Sequence, residues 1–185
     1  MTHLRRIGAS ALLASTSVIA ATNDAADASV AGGSWAATAS TLSLGSLSNQ
    51  VGFWQTLLCS NNLLPVDGSF GSLTKSRTIA FQSQMLHYTG GWLDGVVGWH
   101  TWSDTQAARD PDAPTYPALQ SLTGGFYSYM AGGNPVKLYW DGGSTSLWKF
   151  EFNPGAGSGN FENSSSQWIQ ATNSRTITTG NCVFA

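Results

Sequence analysis

Asp67-Gly68-Ser69-Phe70-Gly71-Ser72-Leu73-Thr74 and Asp94-Gly95-Val96-Val97-Gly98-Trp99-His100-Thr101 are two writings of one phrase, 27 positions apart. Each copy sets an Asp-Gly turn, an apolar residue, a second glycine and a threonine at the mouth of a helical run. The carboxylate accepts hydrogen bonds from backbone N–H groups just ahead of it, and the glycine after it tolerates the positive φ that closes such a turn. Two turns of one build predict two helices entered in the same way.

The flanking residues supply the helices. Val51, Trp54, Leu57 and Leu58 recur at 3.6-residue spacing after Ser48, which predicts a first helix ending near Ser60-Asn61-Asn62, with Phe53 off its apolar face. Thr74, Thr78, Phe81 and Met85 predict a second, from Ser72 to Met85, stopping before Gly90-Gly91. The third runs from Trp99 to Ala107 and should turn Trp102 inward against Phe81 and Trp54. Isolated helices shorter than about 12 to 15 residues are marginal in water, so these three must be stabilised by shared burial.

In order along the chain stand Val51, Trp54-Gln55 and Leu58, then Asp67-Gly68-x-Phe70-Gly71-x-x-Thr74, Phe81-Gln82, and Asp94-Gly95-Val96-Val97-Gly98-x-x-Thr101-Trp102. This ordered set resembles the small three-helix peptidoglycan-binding domain carried by many bacterial wall hydrolases. The resemblance covers Gly45 to Ala108, about a third of the chain. It departs from the family at Arg77, where a small apolar residue is usual, and at Ser72 and Trp99, where proline is common as the first helical residue. The resemblance implies peptidoglycan as partner and no cofactor.

Composition bounds the rest. The chain has 185 residues, of which 10% are charged, with 21 Gly, 8 Trp and a net charge of −2. That balance leaves no electrostatic footprint for nucleic acid or an anionic membrane surface. Arg5-Arg6, the apolar and small residues Ile7 to Ala21, and Ala26-Asp27-Ala28 read as a secretory signal over residues 1–28, too short in its apolar run for a membrane span. Its removal takes Arg5, Arg6, Asp24 and Asp27 together and leaves the net charge at −2. Cys59 and Cys182 are the only thiols, an even pair that in an exported chain predicts one disulfide; two separate thiols are the alternative.

Residues 29–44 are small and polar without period and read as a flexible leader; 45–109 as the peptidoglycan-binding-like helical domain; Asp110 to Pro117 as a Pro-rich linker. Beyond it, over residues 118–185, the period changes to two at Gly125–Met130, Val136–Trp140, Leu147–Phe152, Gln167–Gln170 and Arg175–Thr178, with a hairpin signal at Asp141-Gly142-Gly143. The fold class expected is therefore α+β: a three-helix peptidoglycan-binding-like bundle followed by a small antiparallel β domain of four to six strands.

No catalytic set assembles. His87 and His100, the histidines outside the signal, stand in no zinc-binding spacing, so neither a metal nor a cofactor is expected. Cys59 with either histidine would make a nucleophile and base, but a bridge to Cys182 removes it. Asp67 and Asp94 as a carboxylate pair compete with a structural role in their turns; Asp141, Glu151 and Glu162 are scattered. Binding has better material. Tyr88, Trp92 and Trp99 flank the second turn and offer flat faces to a sugar or stem peptide, with His87 beside them. The helix starts near Ser72 and Trp99 carry unpaired N–H groups suited to the stem carboxylates, toward which Lys75 and Arg77 would steer. The leading expectation is a secreted, non-catalytic peptidoglycan-binding protein whose β half has a separate interaction role of unknown kind, a protein partner being one option. A small secreted wall hydrolase and a secreted inhibitor or toxin component are the alternatives.

Overall fold

The computed structural model describes residues 35, 39–60, 65–140, 148–154 and 166–184. The signal segment, the stop at Asn61-Asn62, the hairpin signal at Asp141-Gly142-Gly143 and Glu162 lie outside the described residues.

Three α-helices come first, α1 (Asn49–Cys59), α2 (Ser72–Gln84) and α3 (Trp99–Ala107). Ser48 caps α1, its Oγ accepting from Val51 N at 3.1 Å. The next orphan amides are met from far along the chain: Asn49 N donates to Ser174 O and Gln50 N to Thr172 O, at 2.9 and 3.0 Å. All eleven residues of α1 are buried. One face packs Trp54 between Phe81 of α2 and Trp102 of α3, ring centroids 5.4 and 5.3 Å away, and the indole Nε1 of Trp54 donates to Thr78 Oγ1 at 2.9 Å. The opposite face meets the sheet: Phe53, expected off the apolar side, is fully buried against Trp35, Trp102 and Phe150.

The sheet has six antiparallel strands, β1 (Leu119–Ser121), β2 (Phe126–Tyr129), β3 (Val136–Trp140), β4 (Trp148–Pro154), β5 (Gln167–Gln170) and β6 (Gly180–Cys182). They run in the order β1-β2-β3-β4-β5, and β6 also pairs with β4, at Phe152↔Cys182 through Pro154↔Gly180. β3, whose pairing with β4 stops at Phe150, thus leaves the rest of that edge to β6. Along β4, Trp148, Phe150 and Phe152 point into the core, and Lys149 and Glu151 lie on the other face.

The expected fold class is corrected here. A three-helix bundle followed by a separate β domain would have two cores, but a single hydrophobic cluster runs from Val51, Trp54, Phe81 and Trp102 to Leu138, Phe150 and Ala171. The helices precede the strands in α+β order. They form one unit because α1 is buried on every side: Gly52 lets it approach the sheet so closely that a Cβ there would stand 3.0 Å from the Phe150 ring and closer still to Ile177 Cδ1. Trp35, within the stretch read as a leader, sits at the junction, with Phe53, Trp102, Tyr129 and Trp148 around it at centroid distances of 5.3 to 6.3 Å. The bridge Cys59–Cys182 is formed and ties the end of α1 to β6 across a sequence separation of 123.

One expectation on strands changes, and β1 forms where no strand was expected. Arg175–Thr178 is not a strand; its groups are used to close the start of α1 instead. Thr176 N donates to Asn49 Oδ1, Arg175 Nε to Asp67 O, both at 2.9 Å, and Ile177 fills the space left by Gly52 and Gly68. Leu119–Ser121, without a marked period, becomes β1 by pairing with Ser121↔Tyr127 through Leu119↔Tyr129. The Pro-rich stretch folds back on itself, Arg109 bridging to Pro117 and Asp110 Oδ1 accepting from Asp112 N at 2.9 Å.

Candidate functional site

The repeated phrase is one device built twice, and a glutamine completes it. In the first copy the Gln55 amide sits over the turn: its Oε1 accepts from Asp67 N and Gly68 N, both at 2.9 Å, while Nε2 donates to Asp67 Oδ1, Ser69 O and Thr74 Oγ1 at 2.8, 3.0 and 3.1 Å. In the second, Gln82 Oε1 accepts from Gly95 N at 3.0 Å, and Nε2 donates to Asp94 Oδ1, Val96 O and Thr101 Oγ1 at 3.0, 3.0 and 3.5 Å. Asp67 and Asp94 each accept from the amide two residues on, at 2.8 Å in both copies. Gly68 and Gly95 both have φ of +67°, and the capping glycines, Gly71 and Gly98, have φ of −83° and −85°. Gln55, Gln82, Trp54 and Phe81 stand at the same 27-residue offset as the turns they brace. Both carboxylates are engaged by their turns through Oδ1.

What differs between the copies is what the device carries. The second turn begins α3 with Trp99 and His100, and the loop after α2 brings Tyr88 and Trp92 beside them. That loop is anchored by Tyr88 N, which donates to Gln82 O at 2.9 Å, and passes through the 3-10 turn Gly90–Trp92. The rings form a row. Tyr88 lies 6.1 Å from Trp92, Trp92 meets His100 edge-on at 5.1 Å, and His100 stacks on Trp99 at 3.5 Å. Trp92 and Trp99 are 57% and 63% exposed, among the least covered large apolar side chains of the described residues.

Tyr88 Oη donates to Asp104 Oδ2, on the outer side of α3, at 2.5 Å. Its phenol is pushed well above the usual value, first by burial and then by the Asp104 hydrogen bond, partly offset by Thr101. It therefore stays protonated as a donor. Flat faces, a fixed phenol and nearby carboxylate suit the recognition of a ligand with apolar faces and a polar rim.

Of the expected site residues, the structure gathers Tyr88, Trp92 and Trp99 and adds His100 and Asp104. The signal for His100 was its place directly after Trp99 at the head of a short helix; Asp104 becomes visible only when α3 is set against the loop. Lys75 is separate from the row: its stem covers the second turn, where a Cβ on Gly95 would lie 2.8 Å from Lys75 Cγ. Arg77 is half-buried on α2 and is not part of the ring row. His87, at φ +54°, turns away from Tyr88 and lines another depression, of about 380 Å³, with Gln84, Met85, Arg109 and Asp110.

Among the described residues no group of three or more His, Cys, Asp or Glu side chains is placed to hold a metal ion, and no helix is long and apolar enough to cross a membrane. Comparisons with protein families, with curated proteins and with solved structures give no match for this chain.

Proposed function

We propose that the protein is a secreted peptidoglycan-binding protein that contacts the wall polymer through the ring row Tyr88, Trp92, His100 and Trp99. The observation that carries this reading is the exposure of two indoles, Trp99 at the start of α3 and Trp92 in the loop before the second turn, with His100 between them. Folding leaves large aromatic side chains mostly covered, and here the buried Trp54 of α1 and Trp102 of α3 set the contrast. Gly98 has no side chain with which to cap α3, and the first amides of the helix lie beside the rings. A sugar ring on an indole and a stem carboxylate at those amides are compatible with one another. The bridge Cys59–Cys182 fits an oxidising destination, and residues 1–28 supply the export segment of the proposal.

The test is co-sedimentation of the full chain with insoluble peptidoglycan. The native protein should pellet with the polymer, and the double variant Trp92→Ala/Trp99→Ala should pellet measurably less with an unchanged thermal midpoint. Equal pelleting of both would remove the site, and release of soluble fragments from the polymer would replace a binding role by a hydrolytic one.

A further inference from the structure

The outer face of the sheet carries a second aromatic group that the helical site does not use. Register places it: Phe126 of β2 is directly opposite Tyr139 of β3, Tyr139 is opposite Lys149 of β4, and Lys149 is opposite Gln170 of β5. Trp168, opposite Glu151, leans diagonally back across β4. Its ring comes to 5.8 Å from Tyr139 and 5.7 Å from Phe126, which themselves stand 5.0 Å apart. The three rings are therefore mutually tilted and close a triangle. Lys149 Nζ lies 5.2 Å over the Tyr139 ring, which fixes that ring's plane. Phe126 and Trp168 remain 39% and 38% exposed.

The rings do not make a flat patch. With Gly124 and Lys149 they line a depression of about 280 Å³, and Lys149 and Trp168 also line the next one, of about 450 Å³, whose other walls are Asn49, Ile169, Gln170, Thr172 and Thr176. Asn49 and Thr176 are locked together, Nδ2 donating to Oγ1 at 2.8 Å and Thr176 N donating to Asn49 Oδ1 at 2.9 Å, so this wall is set before any ligand arrives. An aromatic floor thus opens into a neighbouring cavity whose amides and hydroxyls stand beside Lys149 and Ile169.

The geometry points to a saccharide-binding site on the sheet, in which one pyranose ring lies against the Trp168–Tyr139–Phe126 triangle and the next residue of the chain reaches Gln170, Thr172 and Thr176. A pyranose has the matching distribution, with C–H groups on its faces and hydroxyls around its edge. An apolar helix or strand from a protein partner would require the apolar lining to continue, and among the described residues it stops at Trp168 and Ile169. Bases also stack on aromatic floors, but they come with a phosphate backbone, and among the described residues Lys149 is the one basic side chain lining the two depressions. The inference stands on the sheet alone and does not depend on peptidoglycan being the partner of the helical site.

Tryptophan fluorescence and indole N–H chemical shifts of the full chain, titrated with cellotetraose and with the tetramer of N-acetylglucosamine, test it. At least one should bind saturably and move the Trp168 resonance. Trp168→Ala should weaken that binding by about tenfold or more, the value of one aromatic stacking contact. Gln170→Ala, which leaves the rings untouched, should weaken it less, and Trp99→Ala should leave it unchanged. Unchanged thermal midpoints show that the exposed-site variants fold. Failure of both oligosaccharides to bind, or full binding by Trp168→Ala, overturns the inference. Loss on Trp99→Ala with Trp168→Ala silent assigns the saccharide to the helical site and also overturns it.

Discussion

Replacing Gln55 by alanine should be among the costliest single changes to a polar side chain in this protein, because one amide closes both halves of the first turn. Its five hydrogen bonds link Asp67, Gly68, Ser69 and Thr74, and two of them, from Gly68 N and to Thr74 Oγ1, are fully buried. Without Gln55, Thr74 Oγ1 still reaches Ser69 O and Asp67 Oδ1 still accepts from Ser69 N, whereas the buried Gly68 N–H loses its acceptor. An orphaned buried donor costs about 1 to 3 kcal/mol and the small cavity about 1 more, so the variant should lose about 2 to 4 kcal/mol. For a chain of this size that is a fall in thermal midpoint of about 5 to 15 °C, measurable by calorimetry or circular dichroism. Gln82→Ala should cost less, since its bond to Thr101 is 3.5 Å long and it receives one backbone amide where Gln55 receives two.

Gln55→Glu separates geometry from size. It keeps the acceptor for Gly68 but puts a carboxylate 2.8 Å from Asp67 Oδ1, where an amide donor stood. Like charges raise the folded-state pKa of the new acid above its unfolded value of about 4.3. Below that value the acid is protonated in both states and donates to Asp67, so stability approaches that of the native protein. As pH rises through the raised folded value, the variant falls progressively behind. Gln55→Ala within about 0.5 kcal/mol of native, a change typical of a surface site, would refute the brace, as would a Gln55→Glu variant that tracks the native protein from pH 4 to 7.

Three further outcomes follow from the core. Reduction of Cys59–Cys182, or Cys59→Ala with Cys182→Ala, should destabilise by about 5 kcal/mol on chain entropy for a loop of 123 residues, seen as a lower urea midpoint. Gly52→Ala, although alanine is the better helix former, should cost about 1 to 3 kcal/mol, because its methyl meets Ile177 and the Phe150 ring; a neutral or stabilising result would contradict the close approach of α1 to the sheet. Tyr129 is fully buried, its hydroxyl has no hydrogen-bond partner among the described residues, and burial pushes its phenol far up. Stability should therefore decline as pH rises above the unfolded tyrosine value of about 10, where only the unfolded chain releases the proton, and Tyr129→Phe should be neutral or stabilising and flatten that decline.

The parts of this molecule legible in the sequence are those fixed by local geometry. An Asp-Gly pair with a second glycine three residues on specifies a turn and a helix start wherever it occurs, and α2 and α3 begin at Ser72 and Trp99 as that pattern requires. Period two located Val136–Trp140 and Gln167–Gln170 for the same reason. What could not be read is which surfaces meet. Phe53 looks misplaced on a helix with one apolar face and is well placed on a helix with two, and nothing local distinguishes them. Arg175–Thr178 alternates like a strand, yet Asn49 and Gly52 claim it, over a hundred residues away. Three of the four rings in the row were visible, since Tyr88, Trp92 and Trp99 flank the turn, and His100 was not; the sheet triangle was not, because Phe126, Tyr139 and Trp168 become neighbours only through strand register.

The most direct measurement is a titration of the isotopically labelled full chain with soluble peptidoglycan fragments, followed at its indole N–H resonances. The account predicts that Trp92 and Trp99, at the head of α3, shift and saturate together, while the buried indoles Trp54 and Trp102 stay within the core undisturbed. Fragments that leave Trp92 and Trp99 unmoved at saturating concentration would contradict it.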